Sequence, residues 1–223
     1  MYEKELRESA LRGKLTKVQQ LLKKKDIQVN EVDSESFPFG NALILAAYCG
    51  HDKIVEVLLK DHRVNINETN KCGQSSFYFA CLNGHHEIVK MMLKFKTLEV
   101  NKATFDMWTP FYAACWRQHF GIVKELLKDG RIDININDKK EENSLMNAVY
   151  LGNQSIVEWI LASGRDVEIH MRNRNGKRIL DIAKETNNKE VYELLKDFED
   201  NPFKVRRNLR LKLGLTGTTI IHY

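Results

Sequence analysis

The sequence predicts an all-α repeat solenoid of about six stacked units, each built as helix, tight turn, helix and hairpin loop. Three observations carry this. Segments 41–67, 75–101 and 109–135 are near-copies of one another, reading NALILAAYCGHDKIVEVLLKDHRVNIN, SSFYFACLNGHHEIVKMMLKFKTLEVN and TPFYAACWRQHFGIVKELLKDGRIDIN. A short apolar run ends at Gly13, Gly50, Gly84, Gln118, Gly152 and Asn187, at intervals of 37, 34, 34, 34 and 35 residues. Apolar pairs then recur four and five residues later, and again eight and nine residues later.

The elements follow in order within each unit. The run before each marker holds Ala46 and Ala47, Ala80 and Cys81, Ala114 and Cys115, or Ala148 and Val149. Small residues there let helices approach closely. After the marker come Ile54 and Val55 with Leu58 and Leu59, and equivalents through Ile156, Val157, Ile160 and Leu161. That spacing is one apolar stripe on an amphipathic helix. Seventeen residues past the marker an Asn recurs, at Asn30, Asn67, Asn101 and Asn135. Eight to ten mostly polar residues follow it, which read as a turn or hairpin before the next unit.

Thr109-Pro110-Phe111-Tyr112-Ala113-Ala114 is similar to the T-P-L-H-x-A motif of ankyrin repeats, with aromatics in place of Leu and His. Gly50-His51 and Gly84-His85 resemble that family's Gly-His between helices. Thr109 suits an N-cap and Pro110 the first helical position. The resemblance covers roughly residues 2–196, as units near 2–33, 34–67, 68–101, 102–135, 136–171 and 172–196. The first and last match weakly, as expected of caps whose outer flank meets solvent. The connector after Asn30 is three residues longer than its neighbours and contains Phe37-Pro38-Phe39. Gln118 replaces Gly where a left-handed turn is expected, at a cost on the order of 1–2 kcal/mol.

Residues 197–223 break the period and form a basic tail. Asn201 and Pro202 read as a helix start, favouring a short helix near 202–213, although Leu209, Leu211, Leu213 and Leu215 alternate as in a strand. A solvated, loosely attached extension is the first reading of this tail, and residues 216–223 look untethered. The net charge of +5 equals the charge of Lys204, Arg206, Arg207, Arg210 and Lys212 alone, so the rest of the chain sums to zero. The body is therefore not expected to be an electrostatic binder of nucleic acid.

An apolar content of 43% fits a soluble folded protein. The start lacks the apolar segment of a secretory signal, and no run is long enough to span a bilayer. A cytoplasmic protein, or a nuclear one, is expected. Cys81 and Cys115 share one slot of neighbouring copies. Stacked helices lie about 8–10 Å apart, beyond the roughly 7 Å that a disulfide tolerates, so reduced thiols are expected.

His51, His85 and His119 recur with the repeat, but equivalent positions are too far apart to share one zinc. Cys81 with His85, and Cys115 with His119, mimic a thiol–imidazole dyad, yet each Cys sits in a buried Ala slot. No phosphate loop or hydrolase motif is present. The expectation is a non-catalytic protein without cofactor or metal.

The resemblance implies protein recognition through a concave face made of hairpin tips and the exposed ends of first helices. Carried onto this sequence, the first-helix positions are Tyr48, Cys49, Leu82, Asn83, Trp116, Arg117, Tyr150 and Leu151. The tip positions are Lys71, Cys72, Gln74, Phe105, Asp106, Trp108, Lys139, Lys140 and Glu142. Of these, Tyr48, Lys71, Gln74, Asn83, Phe105, Trp108, Trp116, Arg117, Lys139, Lys140 and Tyr150 are the candidate partner-binding residues, with Trp116 and Arg117 foremost. Leu82, Leu151 and Trp159 are expected to pack internally. The expected partner is another protein, not a small molecule, nucleic acid or membrane, and the chain is expected to be a monomer. The alternative is a regulatory adaptor whose repeats position the basic tail, or an attached effector, on an acidic partner.

Overall fold

The computed structural model describes residues 2–33 and 39–215; Phe37 and Pro38 of the long connector and residues 216–223 lie outside the described residues. Thirteen helices and no strands occur among the described residues. The chain divides into two compact units, Met1–Arg117 and Gln118–Tyr223.

The first unit holds α1 (Tyr2–Leu11), α2 (Leu15–Leu22), α3 (Ala42–Cys49), α4 (Asp52–Leu59), α5 (Ser76–Leu82), α6 (His86–Leu93) and α7 (Pro110–Trp116). First helices of successive repeats, α1, α3, α5 and α7, pack one on the next, and α2, α4 and α6 form a second row. The sequence dictates this division. All of Ala42–Ala47 in α3 is buried, so α3 has no polar face and lies between neighbours. In α4 only Ile54, Val55 and Leu58 are buried, the apolar stripe read from the spacing. Phe77, Tyr78 and Phe111 on the first helices are almost wholly excluded from water. Each such burial contributes about 2–3 kcal/mol.

The starts of the first helices are capped by short polar side chains. Asn41 Oδ1 accepts from Ile44 N at 2.9 Å, Ser75 Oγ from Tyr78 N at 3.1 Å and Thr109 Oγ1 from Tyr112 N at 3.0 Å. Pro110 follows Thr109 at a position where its missing N–H leaves no bond unmade.

The turn between the helices explains the glycine marker. Gly50 has φ +77, and a Cβ there would lie 2.5 Å from the His85 ring of the next repeat. His85 Nε2 in turn lies 3.1 Å from the Tyr48 carbonyl oxygen. His51 stands in the same relation to Gly13 and to the Leu11 carbonyl. His51 and His85 are thus turn-bridging rings between repeats.

The recurrent Asn bridges hairpins. Asn30 accepts from Asn65 N at 2.8 Å and donates to the Arg63 carbonyl at 2.7 Å. Asn67 does the same toward Glu99 N and the Thr97 carbonyl. The Arg63 guanidinium reaches back to the Leu22 and Lys24 carbonyls at 2.8 and 2.9 Å, closing the C-terminal end of α2.

The second unit holds α8 (Phe120–Leu126), α9 (Ser144–Tyr150), α10 (Gln154–Ala162), α11 (Ile179–Glu185), α12 (Lys189–Asp200) and α13 (Pro202–Lys212). Here α9 packs on α11, α8 on α10 and α10 on α12. Asn135 bridges to Glu168 N and the Asp166 carbonyl, and Arg165 closes α8 through the Leu127, Asp129 and Ile132 carbonyls. Gln118 has φ +58, the left-handed conformation expected from its sisters. Its Oε1 accepts from Asn153 Nδ2 at 3.0 Å. Asn153 occupies the slot of the bridging histidines, so the bulkier turn residue faces a smaller neighbour.

The tail differs from a loosely attached extension. Asn201 caps α13 by accepting from Lys204 N at 3.0 Å, and α13 packs against α10 and α12 through Val205 and Leu209. Arg206 donates to the Leu161 and Arg165 carbonyls, Arg210 donates to the Ala162 carbonyl, and Lys212 pairs with Glu158 at 2.8 Å. Two of the five tail cations, Arg206 and Arg210, are therefore held by carbonyls at the end of α10, while exposed Lys212 pairs with a carboxylate. Helix α13 supplies to α10 the guanidinium cap that Arg165 supplies to α8.

Gln118→Gly should relieve a left-handed cost on the order of 1 kcal/mol while losing one exposed hydrogen bond worth less, raising the melting temperature by roughly 1–3 °C. Gly50→Ala should lower it by several times that amount, because the new Cβ meets His85. Thermal unfolding followed by circular dichroism checks both; a lowered value for Gln118→Gly would contradict the turn assignment.

Candidate interaction surface

The hairpin tips repeat one local design. In the third repeat Asn70 Oδ1 accepts from Cys72 N and Gln74 N at 2.9 and 3.0 Å. Asp138 and Asn173 do the same in the fifth and sixth repeats. In the fourth repeat Thr104 takes this slot, and its Oγ1 accepts from Trp108 N at 3.3 Å. One residue in each tip is left-handed: Gly73, Met107, Glu141 and Gly176. Tips are also tied to one another, through Phe105 N donating to the Cys72 carbonyl and Arg174 N donating to the Lys140 carbonyl, both at 3.0 Å. With the backbone so fixed, Phe105 and Met107 project into solvent, 67% and 46% exposed.

In the first unit an aromatic surface runs from the tips onto the first helices. Tyr48 meets Phe79 edge-on at 5.2 Å between centroids. Tyr48, Leu82 and Trp108 lie half-buried against Ile44, Tyr78, Phe79 and Ala113. Trp108 stacks on Tyr112 at 5.5 Å and lies 5.1 Å from Trp116. The Arg117 guanidinium sits over the Trp116 ring at 4.8 Å. The structure thus brings Tyr48, Phe105, Trp108, Trp116 and Arg117 into one region of the first unit. Leu82 packs inward, as expected.

The Tyr78 hydroxyl lies beneath this surface. Burial, reinforced by the Asp106 carboxylate, pushes its pKa up to about 12, against opposing effects of Arg117 and a hydrogen bond with Gln74. Folded Tyr78 therefore holds its proton more tightly than the unfolded chain does. Its contribution to stability is complete below pH 10 and is lost as pH rises toward 12.

Other candidate residues have structural duties. Asn83 Nδ2 donates to the Tyr48 carbonyl at 2.9 Å, and Gln74 Oε1 accepts from Asn70 Nδ2 at 2.9 Å. Lys71 rests over the Phe39 ring at 3.7 Å. In the second unit Lys139, Lys140 and Tyr150 are exposed, Tyr150 by 68%. Leu151, expected to pack inward, is 36% exposed; it is the C-cap of α9, beyond the last buried residue Val149. Trp159 is buried against Phe120. Met107 is missing from the candidates although it stands in a glycine slot of the tip, which is the signal that marks it.

The thiols do not form a nucleophilic site. Cys81 and Cys115 are fully buried, and burial pushes both pKa values well above the ordinary thiol range. His85 bonds to the Tyr48 carbonyl. Among the described residues no group of three or more His, Cys, Asp or Glu is placed to hold a metal ion, and no helix is long and apolar enough to cross a membrane.

A family model described as ankyrin repeats in three copies matches residues 6–104, 43–139 and 95–171. The chain belongs to the ankyrin-repeat family. Its all-helical repeat solenoid is similar to the crystal structure of the ankyrin repeat protein EF0377, at 29% identity and a TM-score of 0.76, covering 86% of this chain and 96% of that one. A search of curated proteins returns no match. Ankyrin repeats are generally protein-interaction modules and generally non-catalytic.

Two measurements follow for this ankyrin array. Ellman's reagent should titrate exposed Cys72 rapidly and Cys49 more slowly, with Cys81 and Cys115 reacting only in denaturant; rapid labelling of Cys115 would reopen a catalytic reading. Chemical denaturation between pH 10 and 12 should show a stability loss that Tyr78→Phe reduces.

Proposed function

We propose that this ankyrin array is a non-catalytic recognition module whose protein partner docks on the hairpin tips and first helices of the first unit. One observation carries the reading. The fourth-repeat tip presents Phe105, Met107 and Trp108 where the third repeat has Lys71, Gly73 and Gln74 and the fifth has Lys139, Glu141 and Glu142. That apolar tip is continuous with Trp116 and Arg117. Trp and Arg are the residue types that dominate binding energy when a partner buries them. The tip backbone is held by hydrogen bonds before any partner arrives, so little ordering entropy is lost on association. Tyr48 extends the surface along the first helices; Lys139, Lys140 and Tyr150 are candidate contacts on the second unit.

The adaptor alternative draws less support. With Arg206 and Arg210 engaged by carbonyls and Lys212 paired with Glu158, the basic tail offers an acidic partner chiefly Lys204 and Arg207.

The test is affinity capture with quantitative mass spectrometry, comparing the wild type with the variant combining Trp116→Ala and Arg117→Ala. Specific partners should fall by about 30-fold or more, the scale of a hot-spot loss, with the melting curve close to wild type. Full retention by a well-folded variant would remove this surface from consideration.

A further inference from the structure

We infer that the partner presents a carboxylate beside a large apolar side chain, the carboxylate pairing with Arg117 and the apolar group lying on Trp116 and Trp108. This rests on the surface proposed above and adds the chemistry of its occupant.

The slot of Arg117 is Cys49, Asn83 and Leu151 in the other central repeats and Arg12 and Thr186 in the terminal ones, so among the four central repeats the fourth alone places a cation there. The guanidinium is laid over the Trp116 ring at 4.8 Å, an arrangement that restrains it with no acid involved. No side chain among the described residues forms an ion pair or hydrogen bond with that guanidinium within bonding distance, while Arg7, Arg63 and Arg131 each pair with a carboxylate. Its fork of N–H donors is planar and permanently charged, and it matches a carboxylate in two parallel bonds. Asp106 is the acid of this tip, and it is exposed. Asp106 and Arg117 act in opposite senses on the Tyr78 hydroxyl, so the patch carries both signs around an apolar centre.

The apolar half of the occupant follows from Phe105, Met107, Trp108 and Trp116, which offer dispersion and ring contacts but few polar groups. The source of the acid follows from the overall charge. Outside residues 204–212 the chain sums to zero. A nucleic acid needs many cations along its backbone, whereas one Arg set beside tryptophans fits a single side-chain carboxylate of a protein segment.

A phage-displayed library of random 16-residue peptides, selected on the full chain, tests this. Binders whose capture is lost on Trp116→Ala should be enriched in Asp or Glu adjacent to Leu, Met, Phe or Trp. In a synthetic binder, replacing that acid by Lys should weaken affinity for the wild type by about tenfold or more and restore binding to Arg117→Glu. Trp116-dependent binders that need no acid, or that bind Arg117→Glu as well as wild type, overturn the inference and leave the proposed surface standing. A failure to select any Trp116-dependent binder, or selection of nucleic acid in a parallel oligonucleotide pull-down, counts against both.

Discussion

The interlock between a glycine turn and the next repeat's histidine is the contact on which the stack depends. At Gly50 the left-handed backbone brings the turn so close to the His85 ring that a methyl group has no room. The ring then reaches the Tyr48 carbonyl near the end of α3, which also accepts from Asn83 Nδ2. One contact thus ends a helix, sets the spacing of two repeats and fixes the rotation between them. Stability in such an array is a sum of neighbour terms, so each interlock matters on its own. Where Gln118 fills the glycine slot, Asn153 fills the histidine slot and the two side chains hydrogen-bond. The change on one side of the contact is matched on the other.

The hairpins repeat the same logic with different groups. Asn30, Asn67 and Asn135 give their side-chain amides to the backbone of the following hairpin, standing in for a missing strand partner. Arg63 and Arg165 collect helix-end carbonyls from the preceding repeat. At the C-terminal end no further hairpin follows α12, yet α10 still ends in carbonyls that need donors. Helix α13 provides them through Arg206 and Arg210. A tail that reads as solvated charge is therefore, through α13, a packed layer of the second unit.

Much of this was legible in the sequence, for physical reasons. The period of 34 residues and the apolar pairs specify helix pairs. Gln118 among glycines pointed to its positive φ. Thr109 ahead of Pro110 pointed to a capped start. The roles of Asn83, Arg63 and Arg206 were not legible, because their partners are backbone groups that only the folded chain brings near. An isolated Arg in a loop reads as solvated; Asn201 and Pro202 announced the helix at 202–212, but not its packing against α10 and α12. The candidate surface was half legible: aromatics at a tip stand out, as does Met107 in the slot of Gly73, whereas the exposure of Met107 shows only in the folded chain.

Met107 bears most directly on the proposed surface. Among the described residues four non-glycine positions adopt positive φ: Met107, Gln118, Glu141 and Asn187. Asn tolerates the conformation. Gln118 gains a hydrogen bond with Asn153, and Glu141 an ion pair with Arg174 at 3.6 Å. Met107 instead holds an apolar side chain nearly half in water, beside Phe105, which is more exposed still. The left-handed backbone of Met107 costs stability, and a side chain nearly half in water gains little from folding in return. Strain that persists without an internal gain is characteristic of residues kept for an external contact. The repeats that obey every local rule build the scaffold, and the tip that breaks two of them together is where a partner would recover the cost.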